Sequence, residues 1–291
     1  MRVFVTGATG FVGSAVVAAL IEAGHSVLGL VRSDTNATSL AAAGADVYRG
    51  SLEDLDSLRR GAAEADGVVH TAFNHNFATF LANCEADRHV IEALGSALVN
   101  SDRPLIVTSG TGFNQENTRA ADFTSHPRMA SEASAAAVAA RGVRVSVVRL
   151  PPSVHGEGDH GFVPAIIRAA REKAASAYVG DGANRWPAVH RLDAAQLFRL
   201  ALEKGATEAW YHGVGDTGVP FREIAALVGR HLDVPVVSQT PEQAKDHFGF
   251  LGAFAAIDCP NSSTTTQELL GWRPVQPGLI PDLDQGHYFK L

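Results

Sequence analysis

A doubly wound parallel α/β sheet is the fold class this chain predicts, and three observations carry the prediction. The first is a β-branched and aromatic run, Arg2–Val5, that passes through a glycine-rich turn into an apolar helical pattern reaching Ala23 and stopping at Gly24. The second is that strand patterns alternate with helical ones along the first half of the chain, the order of a parallel sheet with crossover helices. The third is composition. With 291 residues, 46% hydrophobic and 19% charged, the chain suits one large domain or two modest ones and buries a real core.

In Thr6-Gly7-Ala8-Thr9-Gly10-Phe11-Val12-Gly13 each glycine has its own task. Gly7 permits the tight turn, Gly10 lets backbone approach a pyrophosphate, and Gly13 lets helix and strand pack closely. The helix that follows points its free N–H groups and positive dipole end at that pyrophosphate. Strand, glycine turn and helix in this order bind a dinucleotide, with Gly7, Thr9, Gly10, Phe11, Val12 and Gly13 as the expected cofactor contacts. The spacing is TGxxGxxG, and TGATGFVG resembles the extended and atypical short-chain dehydrogenase/reductases. That superfamily holds sugar-nucleotide epimerases, dihydroflavonol reductases and hydroxysteroid dehydrogenases. The resemblance implies a Rossmann-type, NADP-binding domain over 1–156. It also implies a smaller C-terminal α+β substrate-binding region over 157–291, partly interleaved with the Rossmann sheet.

Composition excludes other classes. A formal net charge of −7 and the lack of a dense basic run argue against nucleic acid as partner. Cys84 and Cys259 lie far apart, so neither a disulfide framework nor a zinc site is expected. The chain enters a core strand at once, without a signal-peptide pattern, and its apolar stretches are interrupted by Glu22, Arg32 or Arg144. A soluble, reducing, cytoplasmic setting is the expectation, with no membrane partner and no metal.

The second strand, Ser26–Val31, decides which cofactor is expected. Val31 stands where NAD-binding relatives carry an acid for the ribose 2′-hydroxyl, and Arg32 and Ser33 follow it. Arg32 can fork onto a 2′-phosphate and Ser33 can donate to it, so NADP(H) is the expected cofactor. Asp34 is the one acid nearby and stands three residues late. A helix near Ser39–Ala43 and a third strand, Asp46–Arg49, come next, then Gly50-Ser51-Leu52 and a helix through Leu55, Leu58 and Ala62. By the resemblance this turn contacts the adenine, with Ser51 in place of the usual Asp and Leu52 and backbone making the contact. The fourth strand, Gly67–Ala72, resembles the family's DxVxHxAA segment, which implies that Thr71, Ala72 and Phe73 lie along the cofactor. His70 reads as a packed core histidine rather than a catalyst, and His75 as a substrate-side loop residue.

Helical patterns cover Phe77–Leu98 and Arg128–Arg141, the second with Pro127 in its first turn and Gly142 past its end. These are the helices that pair subunits in the superfamily, so a homodimer is expected, and the face Ala133, Ala136, Ala137 and Ala140 permits close packing. The fifth strand, Pro104–Thr108, ends in Ser109-Gly110-Thr111 and resembles the family's strand ending in Ser-Ser-x-x-x-Tyr. By that match Ser109, or Thr111 in its stead, holds the substrate oxygen, and Thr108 lies beside the cofactor.

The next motif is missing. The family's Tyr-x-x-x-Lys occurs nowhere: Tyr48, Tyr178, Tyr211 and Tyr288 have no Lys four residues on. Alignment on Ser131-Glu132 puts Thr124 and Arg128 in those two places. Arg128 can bond the ribose and add positive charge, but it is a poor proton donor. The sixth strand, Val143–Arg149, leads into Pro151-Pro152-Ser153-Val154-His155-Gly156, similar to the family's R-P-x-x-V-Y-G loop over the nicotinamide. Pro151, Ser153 and Val154 are then cofactor contacts. His155, in place of the tyrosine, is either a proton source or a buried structural substitution. Farther on, Tyr178 and the cluster Asn184, Arg185 and Trp186 are candidate substrate contacts, while His190 and Asp193 fix structure.

The leading function is an NADPH-dependent oxidoreductase reducing a small carbonyl or conjugated enone, with Ser109, Thr111, Arg128 and His155 as catalytic candidates. The alternative is an NADP(H)-binding sensor without turnover. A sugar-nucleotide epimerase or dehydratase fits least, because those enzymes rely on NAD and on the absent tyrosine.

Overall fold

The computed structural model describes residues 1–111 and 127–290, and Thr124 lies outside them. The chain forms two compact units, the first of residues 1–149, 194–212 and 264–272, the second of 150–193, 213–263 and 273–291.

The first unit opens with β1 (Arg2–Thr6), whose Val3, Phe4 and Val5 are fully buried, and α1 (Phe11–Glu22). Then come β2 (Ser26–Val31), α2 (Asp34–Ala42), β3 (Asp46–Arg49), α3 (Leu55–Ala63) and β4 (Gly67–His70). A 3-10 turn at Phe77–Thr79 leads into α4 (Phe80–Ser96), followed by β5 (Pro104–Gly110), α5 (Met129–Ala139) and β6 (Arg144–Leu150). Helix α2 starts five residues earlier than the sequence pattern suggested, because the Ser33 hydroxyl accepts the Asn36 N–H and caps it at 3.2 Å.

The second unit holds β7 (Ser153–His155), α6 (Phe162–Lys173), β8 (Ser176–Val179) and β9 (Arg185–His190). Helix α7 (Arg191–Glu203) runs back into the first unit, which β10 (Trp210–His212) then rejoins. The second unit resumes with β11 (Asp216–Pro220), α8 (Phe221–Leu232), β12 (Val236–Gln239) and α9 (Pro241–Phe248). After α10 (Thr264–Leu270), which belongs to the first unit, α11 (Leu279–Asp284) closes the second.

A parallel sheet of order β10-β6-β5-β4-β1-β2-β3 forms the first unit, flanked by helices. Strand order reverses at β1 and β4, which pair in parallel with Thr6 opposite His70. In open α/β sheets this reversal opens a crevice at the carboxyl ends of the strands. One of the unit's cores joins Phe4, Leu28, Leu58, Val68, Ile91, Leu94 and Val107. The second unit carries a β11-β9-β7 sheet and a β12-β8 pair over a core of Ile166, Trp186, Phe221 and Phe248. Strand β7 pairs with β9, so residues 150–156 belong to the second unit and not, as the sequence reading had them, to the first. Among the described residues no helix is long and apolar enough to cross a membrane.

Candidate active site

Gly7 adopts φ +71°, a left-handed conformation that glycine takes without strain, and its carbonyl accepts the Gly10 N–H at 2.9 Å. A Cβ on Gly13 would stand 2.0 Å from the Gly7 carbonyl oxygen and 2.7 Å from the Thr71 hydroxyl oxygen, so α1 rests directly on the turn and on the end of β4. Gly10 differs. It is exposed, its backbone is extended, and an added Cβ would meet only the Gly7 oxygen at 3.2 Å. Two glycines therefore serve packing inside the chain, whereas Gly10 leaves open room at the head of α1. As the N-cap of α1, Gly10 brings no side chain to that helix end. Thr9, Phe11 and Val12 around it are half-buried.

At the end of β2, Arg32 and Ser33 are exposed. Asp34, the one acid that would suit a ribose, is in a salt bridge with Arg49. Arg32 also exerts a positive field on Glu53 of the neighbouring turn, where Leu52 is half-buried against the core. Beyond β4 the Thr71 hydroxyl donates to the Thr6 carbonyl at 2.8 Å, and Ala72 and Phe73 continue half-buried. The Phe73 ring meets His75 edge-on at 5.1 Å and carries the Arg128 guanidinium 4.1 Å above its centre.

Strand β5 delivers the hydroxyls. Thr108 donates to the His70 carbonyl at 2.8 Å. Ser109 and Thr111 are 4% and 2% exposed, and neither hydroxyl has a partner among the described residues. A buried hydroxyl without a partner costs about 1–3 kcal/mol, so these two, at and just past the end of β5, are candidates to bond a ligand.

Arg128 is held on several sides. One terminal nitrogen donates to Asp87 Oδ2 at 2.6 Å and to the Ser131 hydroxyl, and the other donates to the Thr108 carbonyl at 3.0 Å. Asp87 also accepts from His70 Nε2 at 2.9 Å, and His70 Nδ1 meets the Thr6 hydroxyl at 2.6 Å. Burial alone would raise the Asp87 carboxyl. The His70 hydrogen bond, the His70 and Arg128 charges and the Ser131 hydroxyl outweigh it and hold Asp87 well below the usual carboxylate range. Arg128 is thus no loose cation but a neutralised, oriented one. Sequence reasoning missed Asp87 entirely and used Ser131 only to align the helix.

In the second unit His155 is fully buried. Its Nδ1 donates to Asp282 Oδ2 at 2.8 Å, its Nε2 has no partner among the described residues, and the His190 ring stands edge-on at 5.3 Å. Burial, then the neighbouring His155 charge, push His190 below its ordinary range. The Ser153 hydroxyl two residues earlier is also buried without a partner among the described residues, Val154 between them is half-buried, and Pro151 is buried.

The candidate substrate cluster takes a different part. Trp186 is 1% exposed and packs on Phe162 and Phe221, so its ring belongs to the core and not to a pocket wall. Asn184 Nδ2 donates to the Ala255 and Ile257 carbonyls, and Arg185 pairs with Asp258. Together they fasten residues 255–258, while Tyr178 lies half-buried against the same core.

The family model described as the NAD dependent epimerase/dehydratase family matches residues 3–212. An uncharacterized protein of Schizosaccharomyces pombe is 50% identical, over 99% of this chain and all of its own length. A 2-alkyl-3-oxoalkanoate reductase of Stenotrophomonas maltophilia is 29% identical, over 82% of this chain and 78% of its own. Among solved structures, the dTDP-glucose 4,6-dehydratase DesIV of Streptomyces venezuelae, with NAD and TYD bound, superposes with a TM-score of 0.75 at 19% identity. That likeness covers 99% of this chain and 97% of the other.

Proposed function

The chain belongs to the NAD dependent epimerase/dehydratase family, and from that premise we propose that it is an NADPH-dependent reductase of a small carbonyl or conjugated enone. The observation that carries the reading is the room left at Gly10, the N-cap of α1, at the sheet's switch point. A pyrophosphate there would meet the N–H groups and the positive dipole end of α1. The orphaned Ser109 and Thr111 hydroxyls and the oriented Arg128 fit the same group's far end, with Arg128 on the ribose and Ser109 on the substrate oxygen. Bound NADPH supplies the hydride. Ser109 donates to the substrate oxygen as charge develops on it, and the proton comes from water. The name of the Stenotrophomonas reductase supports reduction over epimerisation.

Arg32 carries the preference for the 2′-phosphate, because Asp34 is already engaged by Arg49. The test is NADPH and NADH oxidation by the purified protein against a panel of ketones, aldehydes and enones. Turnover with NADPH well above NADH is expected. Arg32→Ala should reduce that preference by about one to two orders of magnitude, one charge-assisted contact. Equal use of both cofactors by the wild type would refute the role of Arg32. A second reading, binding without turnover, draws on the missing Tyr-x-x-x-Lys and on an Arg128 whose charge Asp87 neutralises. Tight NADPH binding with no turnover on the whole panel would establish it.

The assembly proposed is a homodimer through α4 and α5, whose Ala133, Ala136, Ala137 and Ala140 are exposed in the single chain. A face of methyl groups lets helices approach closely. Ala136→Arg is expected to turn a dimer into a monomer in sedimentation at unchanged fold, and a wild-type monomer would exclude the interface.

A further inference from the structure

Asp87 lies on the buried stripe of α4, with Cys84, Val90, Ile91 and Leu94. A carboxylate there is costly unless its oxygens are fully bonded. One oxygen accepts from His70, which is backed by Thr6 at the end of β1; the other accepts from Arg128 and Ser131. The chain Thr6–His70–Asp87 thus runs through the floor of the crevice from β1 to α4 and ends on a guanidinium. Arg128 is further fixed by the Thr108 carbonyl and the Phe73 face, and its side chain keeps 11% exposure.

We propose that Asp87 is the positioning residue of this site. Acting through Arg128, it holds the guanidinium beside the end of β5 for the nicotinamide-ribose hydroxyls, and His70 and Thr6 fix the rotamer of the carboxylate. The inference rests on the dinucleotide reading above. An arginine side chain has many rotamers, and a cation free to sample them binds a neutral diol weakly; a carboxylate behind it removes that freedom. The histidine performs the same service one step back, since its Nε2–H leaves the carboxylate one orientation that also satisfies Arg128.

The experiment is calorimetric titration of wild type, Asp87→Asn, Arg128→Met and the double variant with two probes, NADP+ and adenosine 2′,5′-bisphosphate. The second probe has the adenosine and 2′-phosphate but no nicotinamide ribose. Positioning predicts an NADP+ dissociation constant raised about ten- to a hundredfold in Asp87→Asn and in Arg128→Met, with the double variant no weaker than either. It predicts the bisphosphate bound by all four proteins within about threefold of one another. A merely structural Asp87 would weaken both probes together, and that result overturns the proposal, as does NADP+ binding at wild-type strength by Asp87→Asn. Should Asp87→Asn fail to fold, Asp87→Glu replaces it, keeping the charge but shifting the guanidinium by one methylene, with the same selective loss expected. Wild-type protein that binds neither probe would instead refute the dinucleotide site itself.

Discussion

Gly10→Asp is expected to abolish dinucleotide binding while leaving the protein as stable as before, and Gly13→Ala to do the damage in the reverse order. Gly10 is the N-cap of α1 with φ −76° and ψ 172°, a conformation any residue adopts, and an added Cβ meets only one oxygen at 3.2 Å. Aspartate is a preferred N-cap and gains from the helix dipole, so the variant should melt within about 2 °C of wild type or above it. Its carboxylate takes the N–H groups and the space that a pyrophosphate needs. Losing two charge-assisted hydrogen bonds of about 1.5–3 kcal/mol each weakens binding by about two to four orders of magnitude, before any repulsion is counted. Gly13 has no such room. Its Cβ would stand 2.0 Å from the Gly7 oxygen, so α1 must move off the Gly7 turn. Overpacking of this kind costs about 3 kcal/mol or more and should lower the melting temperature by roughly 6–12 °C. Thermal melts with NADPH titrations separate the two outcomes. A Gly10→Asp protein that binds NADPH normally would mean that the head of α1 is not the phosphate site.

That contrast between glycines is more than the motif alone discloses. The spacing TGxxGxxG, the apolar strands of the first half and the exposed Arg32 after β2 were legible, because buried parallel strands and glycine turns leave strong local patterns. The four short strands β7, β10, β11 and β12 were not. Each has three to five residues, and His, Asp, Gly, Pro or Gln among them breaks any alternation. Trp186 looked like a pocket residue beside Asn184 and Arg185, but an indole brings far more apolar area than a polar neighbour can keep exposed, and the core took it. Asp87 was overlooked although a signal existed. It occupies the same stripe as Cys84, Val90 and Ile91, and a carboxylate at an apolar position calls for a buried partner. The partner, Arg128, lies 41 residues away, which no local pattern reports. The placement of Thr124 has no structural counterpart among the described residues.

The largest effect on stability is expected from a second buried pair, Arg149 with Glu132. The guanidinium lies 1% exposed and donates twice to the carboxylate, at 3.0 and 2.6 Å. Its third nitrogen meets His212 Nε2 at 3.3 Å, and its face stands 4.9 Å from the Trp210 ring, so α5, β6 and β10 meet on this one cation. Glu132→Gln keeps the shape but leaves Arg149 charged and unneutralised, a loss of about 3–5 kcal/mol on urea denaturation. The pair itself should be worth far less than that loss. Replacing both residues, Glu132→Leu with Arg149→Met, removes the charge along with its partner and is expected to recover most of the stability. The function should separate from the fold in the same variants. Glu132 fastens α5 to β6, while Asp87 fastens the head of α5, through Arg128 and Ser131, to α4. If stability alone depended on these ties, the double replacement would bind NADP+ as wild type does once refolded stability returns. If instead the two ion pairs jointly set where α5 presents Arg128, NADP+ binding stays weakened in a protein that is stable again, because leucine and methionine pack without prescribing an angle.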